Sequence, residues 1–175
     1  MSEVMEAFDY EQARYNMVEQ QIRTWSVLDQ RVLDLLFRVR RERFVPPAWR
    51  ALAFADLELP LTRHAKMWPP RVEARVLQEL ALGGSERVLE IGTGSGYFSA
   101  LLASLARDVV SVEIDPSLAE SARARLARMG FANVQVETGD AANGWGRESY
   151  DTVVLTGSTP VVAQALLSQL APDGR

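Results

Sequence analysis

The sequence predicts an α/β fold, with a doubly wound, mostly parallel sheet that carries helices on both faces and follows an N-terminal helical extension. Three observations predict it. From Gly83 onward, short runs rich in Val, Leu and Ile alternate with helical patterns, as in parallel sheets with right-handed crossovers. A glycine-rich turn follows the first run, and acidic residues follow the next two. Before Gly83, the apolar residues are spaced as in helices.

Residues 1–82 are predicted to form the helical extension and a long loop. A first helix covers Asp9–Arg23, and Asp29 is placed to cap a second. Residues Leu57–Pro70 contain three prolines and no period, which predicts a loop, and Arg71–Leu82 returns to a helical pattern. The expected buried residues are Met17, Val18 and Ile22 in the first helix, Val32, Leu33, Leu36 and Phe37 in the second, and Val72, Val76, Leu77 and Leu80 in the third.

Residues 83–175 are predicted to form the sheet domain. Its expected strands are 87–91, 109–113, 134–137 and 152–155, and its expected helices are 97–106, 117–129 and 160–170. Ligands of such sheets bind at the carboxyl ends of the strands, beside the point where the strand order reverses. A ligand site is therefore expected where these four strands end.

Composition excludes several classes of protein. The chain has 175 residues, 47% of them apolar, and a net charge of −4, so a packed core is expected and a nucleic-acid partner is not. Four arginines, at positions 38, 40, 41 and 43, are interpreted as a solvated helix end. With no cysteine and with His64 alone, no metal site is expected. No secretory signal or membrane span is apparent, which predicts a cytoplasmic protein.

The glycine turn has a specific spacing. Gly92, Gly94 and Gly96 follow the first strand, and Glu90 precedes them. A dinucleotide loop has the form G-x-G-x-x-G, but here the third glycine comes one residue early and Tyr97 stands in its place. The pattern E-x-G-x-G-x-G resembles motif I of S-adenosylmethionine-dependent methyltransferases, and a Rossmann oxidoreductase is disfavoured.

Two acids complete the pattern. Glu113 ends the second strand, 21 residues after Gly92, and an acid about 20 residues beyond such a loop commonly accepts hydrogen bonds from ribose hydroxyls. Asp140 follows the third strand. Either residue alone has an ordinary interpretation, Glu113 as a solvated strand end and Asp140 as a turn former. All three features in order at strand ends favour a ligand site.

Over nearly its whole length the chain resembles the protein-L-isoaspartate O-methyltransferase family. The resemblance implies a Rossmann-like methyltransferase sheet, S-adenosylmethionine as cofactor, and methyl transfer to a carboxylate of a protein or peptide, as in protein repair. It also implies that Asp140 reaches the adenine amino group. The matching segments are Met17-Val18-x-x-Gln21, Arg43-Phe44-Val45-Pro46, Leu59-Pro60-Leu61, Val88–Tyr97, Ser111-Val112-Glu113, Asn133-Val134, Gly139-Asp140 and Tyr150-Asp151. The implied cofactor-binding residues are Glu90, Gly92, Thr93, Gly94, Gly96, Glu113, Ile114, Asp140 and Ala141.

The acceptor segment departs from the family pattern. Where the family has Gln-Thr-Ile-Ser-Gln-Pro, this chain has Lys66 at the Thr position and Trp68 at the Ser position. Lys66 is interpreted as a surface charge or a carboxylate anchor, and Trp68 as a packing residue or an acceptor platform. No catalytic residue is assigned, and His64 is interpreted as a solvated loop residue. An altered acceptor is therefore expected; the alternative is a module that binds S-adenosylmethionine without isoaspartyl methyltransferase activity.

The end of the sequence raises one further expectation. The resemblance implies seven strands, whereas the pattern shows four, and the chain ends at Pro172-Asp173-Gly174-Arg175. The C-terminal strands are accordingly expected to be missing. Strand 152–155 would then be an open edge, and self-association through that edge is predicted.

Overall fold

The computed structural model describes residues 8–159, 161 and 163–175, and it has the predicted α/β architecture. Short π- and 3₁₀-helical segments at Met17–Ile22, Arg23–Trp25, Arg41–Arg43 and Pro47–Leu52 supplement the main elements. In chain order the main elements are α1 (Tyr10–Asn16), α2 (Gln30–Arg38), β1 (Leu59–Pro60), β2 (Lys66–Met67), α3 (Pro70–Leu80), β3 (Arg87–Ile91), α4 (Tyr97–Ala103), β4 (Asp108–Glu113), α5 (Pro116–Arg128), β5 (Val134–Thr138), β6 (Thr152–Leu155) and α6 (Gln164–Leu167).

The main sheet has four strands in the order β5-β4-β3-β6, all of them parallel. The chain moves outward from β3 through β4 to β5 and then returns to the other side of β3. The strand order therefore reverses between β3 and β6, which is where an open α/β sheet forms its ligand crevice. These strands agree with the predicted ranges to within a residue at each end, and the fold class is confirmed.

Local chemistry explains where the helices begin. The side chain of Asp29 accepts a hydrogen bond from the Arg31 backbone N–H at 2.9 Å and caps α2, as predicted. Asp115 caps α5 in the same way through the N–H groups of Ser117 and Leu118. Such side-chain caps satisfy backbone donors that have no partner within the helix.

Three details of the N-terminal part differ from the prediction. Helix α2 buries Leu35, and Phe37 is instead 36% exposed, because the buried stripe lies one position earlier than the assumed face. Helix α3 buries Glu73 and Ala74 next to Leu77, whereas Val72 and Val76 are only partly buried. The predicted loop 57–70 contains the short antiparallel hairpin of β1 and β2.

The arginine run was predicted to be a solvated helix end, and for Arg41 this prediction is wrong. Arg41 is 1% exposed. Its guanidinium donates to the Ala53 and Trp68 carbonyls at 2.7 Å each, pairs with the Glu73 carboxylate, and lies over the Tyr97 ring at 5.2 Å. A buried charge requires such partners, and they lie far from Arg41 in sequence.

Packing joins the two predicted segments of the chain. One hydrophobic cluster contains Val18 and Leu33 from the extension together with Val88 and Leu101 from the sheet domain. The division at residues 82 and 83 is a division of sequence pattern and stays a prediction. In the described ranges, no helix is long and apolar enough to cross a membrane.

The C-terminal region differs from the prediction in two ways. Helix 160–170 is reduced to α6, and residues 160 and 162 lie outside the described residues. Beyond α6, the chain runs beside β6: Arg175 donates its N–H to the Asp151 carbonyl at 3.1 Å, and its own carbonyl accepts from Val153 at 2.9 Å. This segment covers the start of the edge that had been expected to be open. Self-association through the edge stays a prediction.

Candidate active site

The glycine turn leads from β3 into α4. Gly92 has φ +108°, and a Cβ at this position would lie 2.7 Å from both the Gly157 nitrogen and the Thr156 Oγ1. Gly96 has φ +81° and precedes the first residue of α4. Only glycine adopts these conformations without strain, and only glycine fits against the end of β6. The turn is therefore held directly against the neighbouring strand at the point where the sheet order reverses.

Glu113 joins the glycine turn to the end of β4. Its carboxylate accepts hydrogen bonds from the Gly94 N–H at 2.7 Å and from the Asp115 N–H at 3.0 Å. The residue is 6% exposed and still faces the cavity described below. A carboxylate has about four lone-pair sites, so Glu113 keeps acceptor capacity for a ligand hydroxyl while it holds the turn in place.

Glu90 lies inside the sheet. It is fully buried, and its Oε2 accepts hydrogen bonds from the Ser99 and Ser111 hydroxyls, the latter at 2.6 Å. Ser111 also hydrogen-bonds Thr93 at 2.6 Å. Burial raises the pKa of Glu90 to about 7, although the two serine hydroxyls oppose the shift. Glu90 thus supports the turn from behind, and it does not line the cavity.

This buried carboxyl predicts a pH-dependent stability. The folded pKa of about 7 exceeds the ordinary value of 4.5. Between those values the folded chain keeps a proton that the unfolded chain has released, so stability falls as pH rises through this window. Glu90→Gln should remove a penalty of about 3 kcal/mol above pH 7. Urea unfolding measures this effect: the free energy of unfolding of the variant, relative to that of the native chain, should be higher at pH 8 than at pH 5. The same relative free energy at both pH values would contradict this prediction.

A cavity of about 450 Å³ opens at the carboxyl ends of the strands. Six of the nine predicted cofactor-binding residues line it: Gly92, Gly94, Glu113, Ile114, Asp140 and Ala141. The structure places the other three elsewhere. Glu90 is internal, Gly96 packs against Ala122 and Leu126 of α5, and Thr93 borders a small neighbouring cavity of about 40 Å³. The volume is that of an ordinary small-molecule site.

Three residues of the lining were not among the predicted site residues. Thr156, Gly157 and Ser158 form the wall beyond β6. The Thr156 hydroxyl donates to the Ile91 carbonyl at 2.9 Å and also to the Gly92 carbonyl. These residues directly follow the predicted strand 152–155. Because ligands bind at strand ends on both sides of the point where the strand order reverses, this position could have predicted them.

Residues in and beside the hairpin of β1 and β2 form another part of the wall. Lys66, Glu58 and His64 line the cavity, and the Lys66 ammonium pairs with the Glu58 carboxylate at 2.8 Å. Both side chains are at least half exposed, so the pair contributes little to stability. Its effect is local, because the Glu58 carboxylate partly neutralises the Lys66 ammonium at the cavity wall.

Trp68 both packs and lines the site. Its ring meets the Phe98 ring edge-to-face with the centroids 5.6 Å apart, and it borders both the main cavity and its small neighbour. Arg41 holds the Trp68 carbonyl at 2.7 Å. The indole therefore packs against Phe98 and also forms part of the cavity wall.

Comparison with known proteins agrees with this geometry. Residues 12–175 match the sequence profile of the protein-L-isoaspartate(D-aspartate) O-methyltransferase family. A protein-L-isoaspartate O-methyltransferase of Herpetosiphon aurantiacus is 40% identical over 167 residues, which are 95% of this chain and 75% of that protein. The enzyme of the same name from Myxococcus xanthus is 47% identical over 151 residues, or 86% and 71% of the two chains.

Solved structures have the same fold. A protein-L-isoaspartate O-methyltransferase structure superposes with a TM-score of 0.77 at 25% identity, covering 92% of this chain and 53% of that longer chain. A protein-L-isoaspartate O-methyltransferase structure from Plasmodium falciparum, in complex with S-adenosyl-L-homocysteine, gives 0.74 at 15% identity, with coverages of 95% and 81%.

The reversed strand order, the glycine turn and the acids at the strand ends define a class I S-adenosylmethionine-dependent methyltransferase. Within that class, the chain belongs to the protein-L-isoaspartate(D-aspartate) O-methyltransferase family. The alternative of a binding module without this chemistry is not favoured by these relatives.

Proposed function

We propose that this protein transfers the methyl group of S-adenosylmethionine to a carboxylate of a protein or peptide whose acceptor group differs from an ordinary isoaspartyl residue. One observation carries the proposal. The cavity is continuous from the glycine turn and Glu113 to Lys66 and Trp68, so a single site joins a family-like cofactor wall to an acceptor wall that lacks the family's hydroxyls.

The cofactor wall offers a partner for each part of S-adenosylmethionine. Glu113 is placed to accept hydrogen bonds from the ribose hydroxyls. Ile114 is 67% exposed yet borders the cavity, and its apolar side chain suits an adenine face. Among the described residues, Asp140 accepts one hydrogen bond, from the Ala142 N–H at 2.9 Å, and it can also accept one from the adenine amino group. The turn at Gly92–Gly94 leaves room for the amino-acid part.

The ribose role of Glu113 can be tested by substitution. Glu113→Ala should weaken S-adenosylhomocysteine binding by about 1.5–3 kcal/mol, the range for a hydrogen bond to a charged group. Isothermal titration calorimetry measures this effect. Glu137→Ala is the matched control, since Glu137 pairs with Val112 across β4 and β5 but does not line the cavity. Equal affinities in the native and Glu113→Ala chains would refute the role.

The chemistry asks little of the protein beyond positioning. The acceptor carboxylate oxygen attacks the methyl carbon of the sulfonium in line, and the thioether leaves. An ionised carboxylate needs no base, which agrees with a site that contains His64 only at its rim. Exclusion of water and alignment of the two reactants provide the rate enhancement.

The acceptor wall limits which carboxylates fit. Serine and threonine hydroxyls are short donors, whereas the indole of Trp68 offers one donor on a bulky ring. Lys66 supplies a point charge without fixed direction, and its ammonium already pairs with the Glu58 carboxylate. An isoaspartyl carboxylate would therefore bind loosely and be poorly aligned, and small misalignments are costly to methyl transfer.

A methyl-transfer assay with a radiolabelled cofactor tests this proposal. The native chain should methylate an isoaspartyl peptide with kcat/KM at least about 10-fold below that of the Myxococcus xanthus relative. The triple variant Lys66→Thr, Met67→Ile, Trp68→Ser should raise kcat/KM on that peptide. Unchanged S-adenosylhomocysteine affinity in the variant checks that its fold and cofactor wall are intact. Native activity equal to the relative's would establish the plain repair function instead.

A further inference from the structure

We propose a second ligand site, remote from the methyl-transfer cavity, that binds a small organic phosphate. The site is a cavity of about 480 Å³ whose lining includes four arginines, Arg38, Arg40, Arg43 and Arg128. Leu35, Val39, Met129 and Phe131 form the apolar part of the lining. The methyl-transfer site uses none of these residues.

The position of this cavity excludes a role in acceptor binding. Ser104 borders it just after α4, and Arg128 and Met129 border it where α5 ends. Because α4 and α5 are crossover helices of a parallel sheet, they run from the carboxyl ends of the strands back toward the amino ends. The arginine cavity therefore lies at the amino edge of the sheet, and the cofactor cavity lies at the opposite edge.

The arginines around this cavity carry more positive charge than neighbouring groups of the protein neutralise. Within the described ranges, the ion pairs of the structure engage Arg40, which meets Glu11 at 3.2 Å, but not Arg38, Arg43 or Arg128. The C-termini of α2, α4 and α5 offer partial negative charges of about one half each. Together with Glu11 they leave about one and a half positive charges uncompensated in a protein whose net charge is −4.

The chemistry of the lining selects the ligand class. Guanidinium forks bind phosphate oxygens in pairs with defined geometry. Half-buried Met129 and Phe131 offer apolar surface beside them, which inorganic phosphate cannot use. The volume is that of a drug-sized or metabolite-sized ligand. A phosphate group joined to an apolar or aromatic body fits all three properties.

Calorimetry with phenyl phosphate tests the site. The chain is first saturated with S-adenosylhomocysteine, so that the cofactor cavity is occupied and phenyl phosphate cannot bind there. Phenyl phosphate should bind with a dissociation constant on the order of 1 mM or below, and inorganic phosphate about 10-fold more weakly. Arg43→Gln and Arg128→Gln should each weaken phenyl phosphate about 5-fold or more. Arg147→Gln removes the same charge from an exposed position outside this cavity and should leave binding unchanged.

Several results would overturn the proposal. Absence of phenyl phosphate binding, or equal loss in the Arg147→Gln control, would show that the arginines form no specific site. Equal affinity for inorganic phosphate would remove the role of the apolar residues. Binding of a hexaglutamate peptide in place of phenyl phosphate would assign the surface to an acidic polypeptide.

Discussion

Arg41→Leu should destabilise the protein by about 3–5 kcal/mol, the cost of leaving one member of a buried ion pair without its partner. Arg41 is the sole described partner of the Glu73 carboxylate, and both residues are at most 3% exposed. Burial already raises the pKa of Glu73 to about 7, with Arg41 opposing the shift. Urea unfolding at pH 8, where the unpaired carboxyl is most costly, measures the loss.

A second variant separates the charge from the packing. Arg41→Leu combined with Glu73→Leu removes the stranded carboxyl and should recover part of the loss, since apolar pairs often replace buried ion pairs without penalty. Arg107→Gln breaks an exposed pair with Asp108 and should cost less than about 1 kcal/mol. A double variant no more stable than Arg41→Leu would show that the lost bonds to the Ala53 and Trp68 carbonyls dominate.

Gly92→Ala should cost about 3–5 kcal/mol and abolish measurable cofactor binding. Two effects add here: backbone strain at φ +108°, and overlap of the new methyl with the backbone and side chain at the end of β6, each contact being 2.7 Å. Each effect is worth about 1–3 kcal/mol. Thermal unfolding and calorimetry with S-adenosylhomocysteine check both results.

Gly84→Ala provides the matched control. Gly84 has φ +101°, close to the φ of Gly92, but a Cβ there would meet nothing within 4 Å. It should therefore show the strain alone, about 1–3 kcal/mol, with cofactor affinity unchanged. If the two variants lost the same free energy of unfolding, the close approach of the glycine turn to Thr156 and Gly157 would not contribute to the cost of Gly92→Ala.

Local pattern was enough to predict the sheet and much of its ligand edge. Val, Leu and Ile mark β3, β4 and β6, because strands inside a covered parallel sheet are largely apolar. The edge strand β5 alternates polar and apolar residues and buries only Val136. The spacing of Gly92, Gly94 and Glu113 is equally local, since each residue ends or directly follows a strand. The carboxyl ends of parallel strands meet at one edge, so sequence order alone brings these residues together.

Helix boundaries and buried faces were predicted less well. Phe37 was expected inside and Leu35 is there instead. Periodicity gives the spacing of a buried stripe, whereas the partners packed around α2 decide where the stripe lies. The same reason applies to α3, whose buried face includes the charged residue Glu73.

The sequence by itself determined the fold class, the family and the positions of the residues at the strand ends. Only the tertiary structure decided that Glu90 supports the turn from inside, that Arg41 and Glu73 form a buried pair, and that Lys66 is held by Glu58. The physical reason is the range of the interactions. Strand and turn propensities act between near neighbours in the chain, whereas burial and charge pairing depend on residues that the fold brings together from distant positions.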